Sequence, residues 1–280
     1  MPFVEFKRFP WGTLILALSL IIVYVLLSQE TTYIPSSSLY EYALTNLNPY
    51  SYVTHLFVHV GILHFIGNLI PLILFALVFE MAVAWPHVVS VFLFSGILAS
   101  FIFALTNPFI ALIGASAGIS GLLGAALALK PKQALVVLLA IPFLLSFIVI
   151  PGATYVDDWY AGRLQSDQQR LRNQYATALN ASQYNRSAEL QMHVQQLNSS
   201  LHQTDKKLET TQEGKSREES VPTDLFVHIY GVLAGLLYVY LFRRKQMMAS
   251  RKEYLELGDY LISLIRGIAG RKRKRGRGRN

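Results

Sequence analysis

HLFVHVGILHFIGNLIPLILFALVFE, residues 55–80, is the most informative stretch of the chain. It lies in an apolar run over 53–79 that is long enough to cross a bilayer core, which needs roughly 20 residues of helix, yet it contains His55, His59, His64 and Asn68 and closes on Glu80. Ionisable and strongly polar side chains are costly inside a membrane, so each is a functional candidate by default. Five further runs of similar character flank it, at 11–28, 87–106, 111–129, 133–150 and 225–242. The expected fold class is therefore an all-α membrane protein, a bundle of six transmembrane helices. Composition agrees: 52% of residues are hydrophobic and only 15% charged, against about 25% charged in soluble domains. The mean hydropathy is +0.36. These values exclude a soluble globular enzyme, and the absence of cysteine excludes disulfides, thiolate nucleophiles and thiolate metal sites.

Short-loop charges set the expected orientation. Lys7 and Arg8 precede the first span, which reads as a retained signal anchor. Lys130 and Lys132 separate the fourth from the fifth, and Arg243, Arg244 and Lys245 follow the sixth. Both termini are then cytoplasmic, in a multi-pass protein expected in the cell membrane. Residues 1–150 hold five spans, 151–222 form an extracytoplasmic helical insertion, 223–242 form the sixth span and 243–280 a cytoplasmic tail. In the insertion, apolar positions at 190, 194, 197, 201 and 208, and at Leu164, Leu171, Tyr175 and Leu179, follow a three-four repeat. Two amphipathic helices turning near Asn180–Asn185 are predicted. Asn180, Asn185 and Asn198 each begin a glycosylation sequon. Residues 243–280 carry 13 Lys/Arg against 3 Asp/Glu. Tyr254, Leu257, Leu261, Leu264, Ile265 and Ile268 share one face, and Arg271–Arg279 is almost wholly basic. Such a tail predicts an interfacial helix and a polybasic segment on anionic lipids, in preference to nucleic acid.

Depth along the spans brings three polar groups to one level. Ser116 lies 14 residues before Lys130, His228 lies 15 before Arg243 and Asn68 lies 12 before Glu80. At 1.5 Å per residue all three sit roughly 18–23 Å above the basic boundary. His64 and Asn68 are four apart and share a helix face, as two hydrogen-bond donors suited to holding an oxyanion. In an unbroken helix His59 would face about 140° away from His64, one turn above His55. A serine attacks a carbonyl only if a base takes its proton, and His228 is the base at that depth. Gly114, Ala117, Gly118, Gly121 and Gly124 on the fourth span, with Gly231 and Gly235 on the sixth, permit close helix approach. No acidic residue sits at this level, so a dyad is expected.

With these residues in place, the chain resembles the rhomboid family of intramembrane serine proteases. The resemblance rests on His59-x4-His64-x3-Asn68, on Gly114-x-Ser116 with Gly124 eight further on, and on His228-x2-Gly231-x3-Gly235. It implies a rhomboid-like bundle with Ser116 as nucleophile and His228 as general base. His64, Asn68 and the Ser116 amide would form the oxyanion site, with His59, Gly114, Gly124, Gly231, Gly235 and Glu80 as structural support. It implies no cofactor and no metal. Its substrates would be transmembrane helices of other proteins, cut near their outer end. Two departures stand out: Ala117 follows the nucleophile where many relatives have glycine, and Ser120 stands where many have an aromatic stacked on the catalytic histidine. Gly118-Ile-Ser120-Gly121 also leaves Ser120 open as an alternative nucleophile.

Other readings follow from the same residues. The fold could bind transmembrane clients without cutting them, or the histidines could serve a transporter or metalloenzyme. Serines and glycines also pack membrane helices with no chemistry at all. His87, His193 and His202 read as surface residues, and Pro71 and Pro142 as kinks.

Overall fold

A computed structural model of the chain describes residues 9–28, 31–45, 48–184, 188–220, 225–260, 262–263 and 266. Its named elements are all helices. In chain order the α-helices are α1 (Trp11–Ser28), α2 (Ser36–Tyr42), α3 (Ser51–Thr54), α4 (Ile62–Glu80), α5 (Trp85–Thr106), α6 (Ser116–Leu129), α7 (Pro131–Leu144), α8 (Ile150–Tyr184), α9 (Ala188–Ser220) and α10 (Leu225–Ala249). Among the described residues, five helices are long and apolar enough to cross a membrane: α1, α4, α5, the continuous helix running from Pro131 to Ser182, and α10. The chain is a multi-pass integral membrane protein.

Two of the expected spans differ from the apolar runs that suggested them. The run at 111–129 is not one helix: α6 begins only at Ser116 and has 14 residues, 11 of them buried. Its approach, 107–115, is irregular backbone, pinned by a bridge between Leu44 and Leu112 and by a hydrogen bond from the Gly114 N–H to the His55 carbonyl, 2.8 Å. Irregular backbone at membrane depth survives only where protein or a cavity surrounds it, and α6 sits among α4, α5, α7 and α10. The run at 53–79 is likewise broken. α3 passes into a 3-10 turn at His55–Phe57, the chain extends through 58–61, and α4 starts at Ile62. His59 therefore does not lie on the helix that carries His64. Pro71 lies inside an unbroken α4, whereas Pro142 is followed by a π-turn at Leu145–Val149 that joins α7 to α8.

α6 and α10 meet along a seam of missing side chains. A Cβ on Gly235 would overlap the Gly121 carbonyl, one on Gly124 the Val232 carbonyl, and one on Gly231 the Ala117 carbonyl. This is the close approach expected of small residues in membrane helices, where backbone contact replaces hydrophobic driving force. At the other end of the bundle Glu80 caps α1. Its Oε1 accepts the Gly12 N–H and its Oε2 the Thr13 N–H, each at 2.9 Å, and the Thr13 hydroxyl donates to Oε2 at 2.7 Å. A carboxylate on the unpaired N–H groups of a helix start is favourable by charge and hydrogen bonding together. His87, expected at the surface, is partly buried and bonds through Nδ1 to the Tyr238 hydroxyl on α10, 2.9 Å. His193 and His202 are exposed.

The insertion is a helical hairpin continuing directly from the fifth span. α8 and α9 pack with Leu164, Ala178 and Leu197 buried, and Gln168 donates to Asp205 across them at 2.7 Å. α8 ends at Tyr184 and α9 begins at Ala188. Asn180 and Asn198 are exposed on helices, while Asn185 lies outside the described residues. The base of the hairpin is docked on the bundle. Asp157 accepts from the Thr32 and Tyr33 hydroxyls at 2.7 and 3.1 Å, and Lys215 pairs with Asp157 and Asp158 at 3.8 and 3.1 Å. Glu218, near the end of α9, accepts the His64 N–H on Oε1 at 2.6 Å.

The tail turns at Arg243, where the backbone leaves helical geometry, and 251–260 is again helical. It docks on the basic end of α6 and α7. Ser250 donates to the Leu129 carbonyl at 2.8 Å, Tyr254 donates to the Leu127 carbonyl, and Lys132 pairs with Glu256 at 2.5 Å. The Tyr254 hydroxyl thus reaches the backbone of α6. Lys7, Arg8, Leu261, Leu264, Ile265, Ile268 and the run Arg271–Arg279 lie outside the described residues.

Two outcomes are expected. Glu80→Ala removes three hydrogen bonds to a charged acceptor and lowers stability by about 1.5–3 kcal/mol, read as a fall in the thermal midpoint of detergent-solubilised protein; an unchanged midpoint contradicts the capping role. The second concerns Glu218, whose carboxyl is pushed above its ordinary value, first by burial and then by Asp157, against the lowering effect of the His64 N–H and the Tyr33 hydroxyl. A carboxyl raised in the docked state favours docking below its ordinary range, and that contribution is lost as pH rises through the raised value. The chain has no cysteine, so spin labels on cysteines introduced at Tyr40 and Gln212 report the hairpin alone. The distance distribution broadens as pH rises from the ordinary carboxyl range to well above it, and Glu218→Gln stays narrow throughout. Equal distributions throughout that rise in the unsubstituted chain contradict the linkage.

Candidate active site

Gly114 is the point from which the site is built. Its φ of 112° lies in the left-handed region that favours glycine. A side chain there would also strike a neighbour, since a Cβ would lie 2.9 Å from His64 Nε2 and 4.0 Å from Asn68 Nδ2. The turn that delivers Ser116 to the start of α6 is thus laid directly against the two expected oxyanion donors. Asn68 is buried, and its Nδ2 donates to the His64 carbonyl one turn back, 2.9 Å. His64 Nδ1 is buried without a hydrogen-bond partner among the described residues.

His55 and His59 hold this turn from below. His55 is fully buried: its Nδ1 faces the Ser51 carbonyl at 2.6 Å, its Nε2 faces the Ser100 hydroxyl at 2.8 Å, and its own carbonyl takes the Gly114 N–H. His59, also fully buried, accepts the Ala115 N–H on Nε2 at 3.5 Å. Its ring meets that of His64 edge to face, with centroids 5.1 Å apart. The helical-wheel expectation that these two rings point apart is therefore wrong, because the chain is extended between them. No three His, Cys, Asp or Glu side chains converge as a metal centre among the described residues.

Ser116 opens α6 with Ala115 as its N-cap and is partly exposed. The first N–H groups of a helix have no carbonyl one turn back, so the Ser116 amide is available to a ligand. Ser120 lies one turn further along the same face, 9% exposed. The hydrogen bond that His228 makes to a serine goes to Ser120, with Oγ 3.2 Å from Nδ1, rather than to Ser116. The seam places His228 there: Gly231, three residues on, lies against Ala117 and Ser120, where a Cβ would come within 2.8 Å of the Ser120 Cβ.

The structure thus lays Gly114 against His64 and Asn68, with Ser116 two residues further on, and sets His228 against Ser120 on α6. Gly124, Gly231 and Gly235 make the seam, and Glu80 acts at the far end of the bundle, on α1. Sequence reasoning missed Ser100, which fixes His55, and Glu218, which caps the helix carrying His64 and Asn68. Neither has a local signal: the partners are 45 and 154 residues apart.

No curated protein and no solved structure matches the chain. A family model does, and the residues it matches include His55, His59, His64, Asn68, Ser116 and Ser120. It ends before α9 and α10, so the contribution of His228 is argued from its position beside α6. The chain carries a Rhomboid domain over residues 46–160.

Proposed function

We propose that this protein is an intramembrane serine endopeptidase that cuts transmembrane protein substrates near the outer face of the membrane, with Ser116 as nucleophile and His228 as general base. The observation that carries the reading is the convergence of His64 and Asn68 on Gly114, two residues before a serine that begins a helix. The family includes serine proteases, and the resemblance in the motifs gives the reaction.

The chemistry is then acyl transfer in two steps. His228 takes the Ser116 hydroxyl proton as Oγ attacks the carbonyl carbon of the scissile peptide bond. The oxygen that becomes negative is held by the Ser116 amide, His64 and Asn68, donors aimed where charge develops. The intermediate collapses, the C–N bond breaks and His228 returns the proton to the leaving amine. Water then attacks the acyl ester with the same base, releasing the carboxylic acid and restoring Ser116. In this reading both termini are on the cytoplasmic side of the cell membrane and the basic tail rests on anionic lipid, in keeping with the short-loop charges.

Two other readings start from the 3.2 Å contact between Ser120 and His228. In one, Ser120 is the nucleophile. Against it, Ser120 is buried within α6, where its amide belongs to the helix's own hydrogen-bond ladder and cannot serve an oxyanion. In the other, the histidine is occupied structurally and the fold binds transmembrane clients without cutting them.

Purified protein in proteoliposomes, given a panel of transmembrane reporters with varied juxtamembrane sequences, is expected to release cleaved product. Ser116→Ala and His228→Ala are each expected to lower the rate at least about 10³-fold. Absence of cleavage across the panel by folded protein that still captures the reporters favours the client-binding reading.

A further inference from the structure

A neutral imidazole acts as a base through its unprotonated ring nitrogen, and which nitrogen that is depends on what the other one touches. His228 sits on a helix that also carries its seam glycines, so its backbone is fixed within the α6–α10 contact. Its ring still has a torsional choice. The side chain the structure places on Nδ1 is Ser120, at 3.2 Å. Ser116 and Ser120 stand one turn apart, about 6 Å along the same face of α6. Ser120 is thus the serine on the Nδ1 edge, and Ser116 lies one turn nearer the head of α6 on the same face. A Cβ on Gly231 would lie 2.8 Å from the Ser120 Cβ, so glycine at 231 is what lets α10 bring His228 up to Ser120.

We infer that Ser120 is a positioning residue: its Oγ accepts the Nδ1–H of His228, fixing the ring and making Nε2 the unprotonated nitrogen that takes the Ser116 proton. This rests on the protease reading above and deepens it, since it gives the second serine a role other than attack. No bond to Ser120 is made or broken during turnover. Its hydroxyl remains an acceptor while His228 alternates between imidazole and imidazolium, and the proton that moves is the one on Nε2.

The test pairs reporter kinetics with nitrogen-15 NMR of the full chain labelled at histidine, the His228 signals being those lost in His228→Asn. The unsubstituted protein is expected to carry its imidazole proton on Nδ1. Ser120→Ala, which only removes an oxygen from a buried site, is expected to give a mixture of the two tautomers. It should lower kcat about 10-fold while KM stays within about twofold, the loss of one hydrogen bond felt in the transition state. A proton on Nε2 in the unsubstituted protein overturns the inference. So does an unchanged tautomer and kcat in Ser120→Ala. Complete loss of activity in Ser120→Ala together with retained activity in Ser116→Ala overturns it as well, by making Ser120 the nucleophile. If no reporter is cut, the protease reading fails, while the tautomer measurement still decides whether Ser120 holds the ring.

Discussion

The place of His228 at the site follows from how closely α6 and α10 approach. The carbonyl of Gly121 occupies the space a side chain on Gly235 would need, and the carbonyl of Val232 does the same at Gly124. In a bilayer no hydrophobic gain drives such association, because lipid tails are as apolar as leucine. Backbone packing must supply it, and only residues without side chains allow it. The functional outcome is that a histidine on α10 comes within hydrogen-bond distance of the serine face of α6.

A second constraint acts at the start of α6. A helix that begins part-way through a membrane exposes amides and carbonyls that lipid cannot satisfy. The bundle answers with groups from its other segments instead of regular structure: the His55 carbonyl takes the Gly114 N–H and His59 Nε2 takes the Ala115 N–H. The amides left over at the head of α6 are those an oxyanion would use. The same turn needs a glycine, at 114, both for its φ and for the space against His64. Burial of two histidines and the position of Ser116 are thus one arrangement. Glu218 extends it outward, because its side-chain carboxyl, from the insertion, accepts the His64 N–H on the helix that carries His64 and Asn68.

Much of this could be read from the sequence, and the limits have physical causes. Apolar run length located the membrane helices because hydropathy is a one-dimensional property, and the small residues at 121, 124, 231 and 235 foretold the seam because a missing side chain has one use there. Depth counting from Lys130 and Arg243 set His228 level with Ser116, whereas the serine contact in the structure is with Ser120, one turn along α6. Run length could not show that 111–115 is irregular backbone, since buried loop and buried helix share the same apolar composition. It failed for the same reason at 58–61, and a helical wheel drawn through that break turned His59 away from His64. Of the hairpin's three-four repeat Leu164 and Leu197 are buried, whereas Leu179 is exposed and its neighbour Ala178 takes the buried place; the hairpin's continuity with the fifth span needed a π-turn that no residue pattern announces. Choosing between Ser116 and Ser120 for contact with His228 was also beyond spacing, because residues four apart share a face.

Whether His228 activates a serine at the head of α6 can be measured without a substrate. Detergent-solubilised protein is treated with a serine-directed phosphonofluoridate, and the adduct is mapped by mass spectrometry. Activation predicts a single adduct on Ser116 that disappears in His228→Ala. An adduct on Ser120, or labelling of Ser116 that persists without His228, would contradict it.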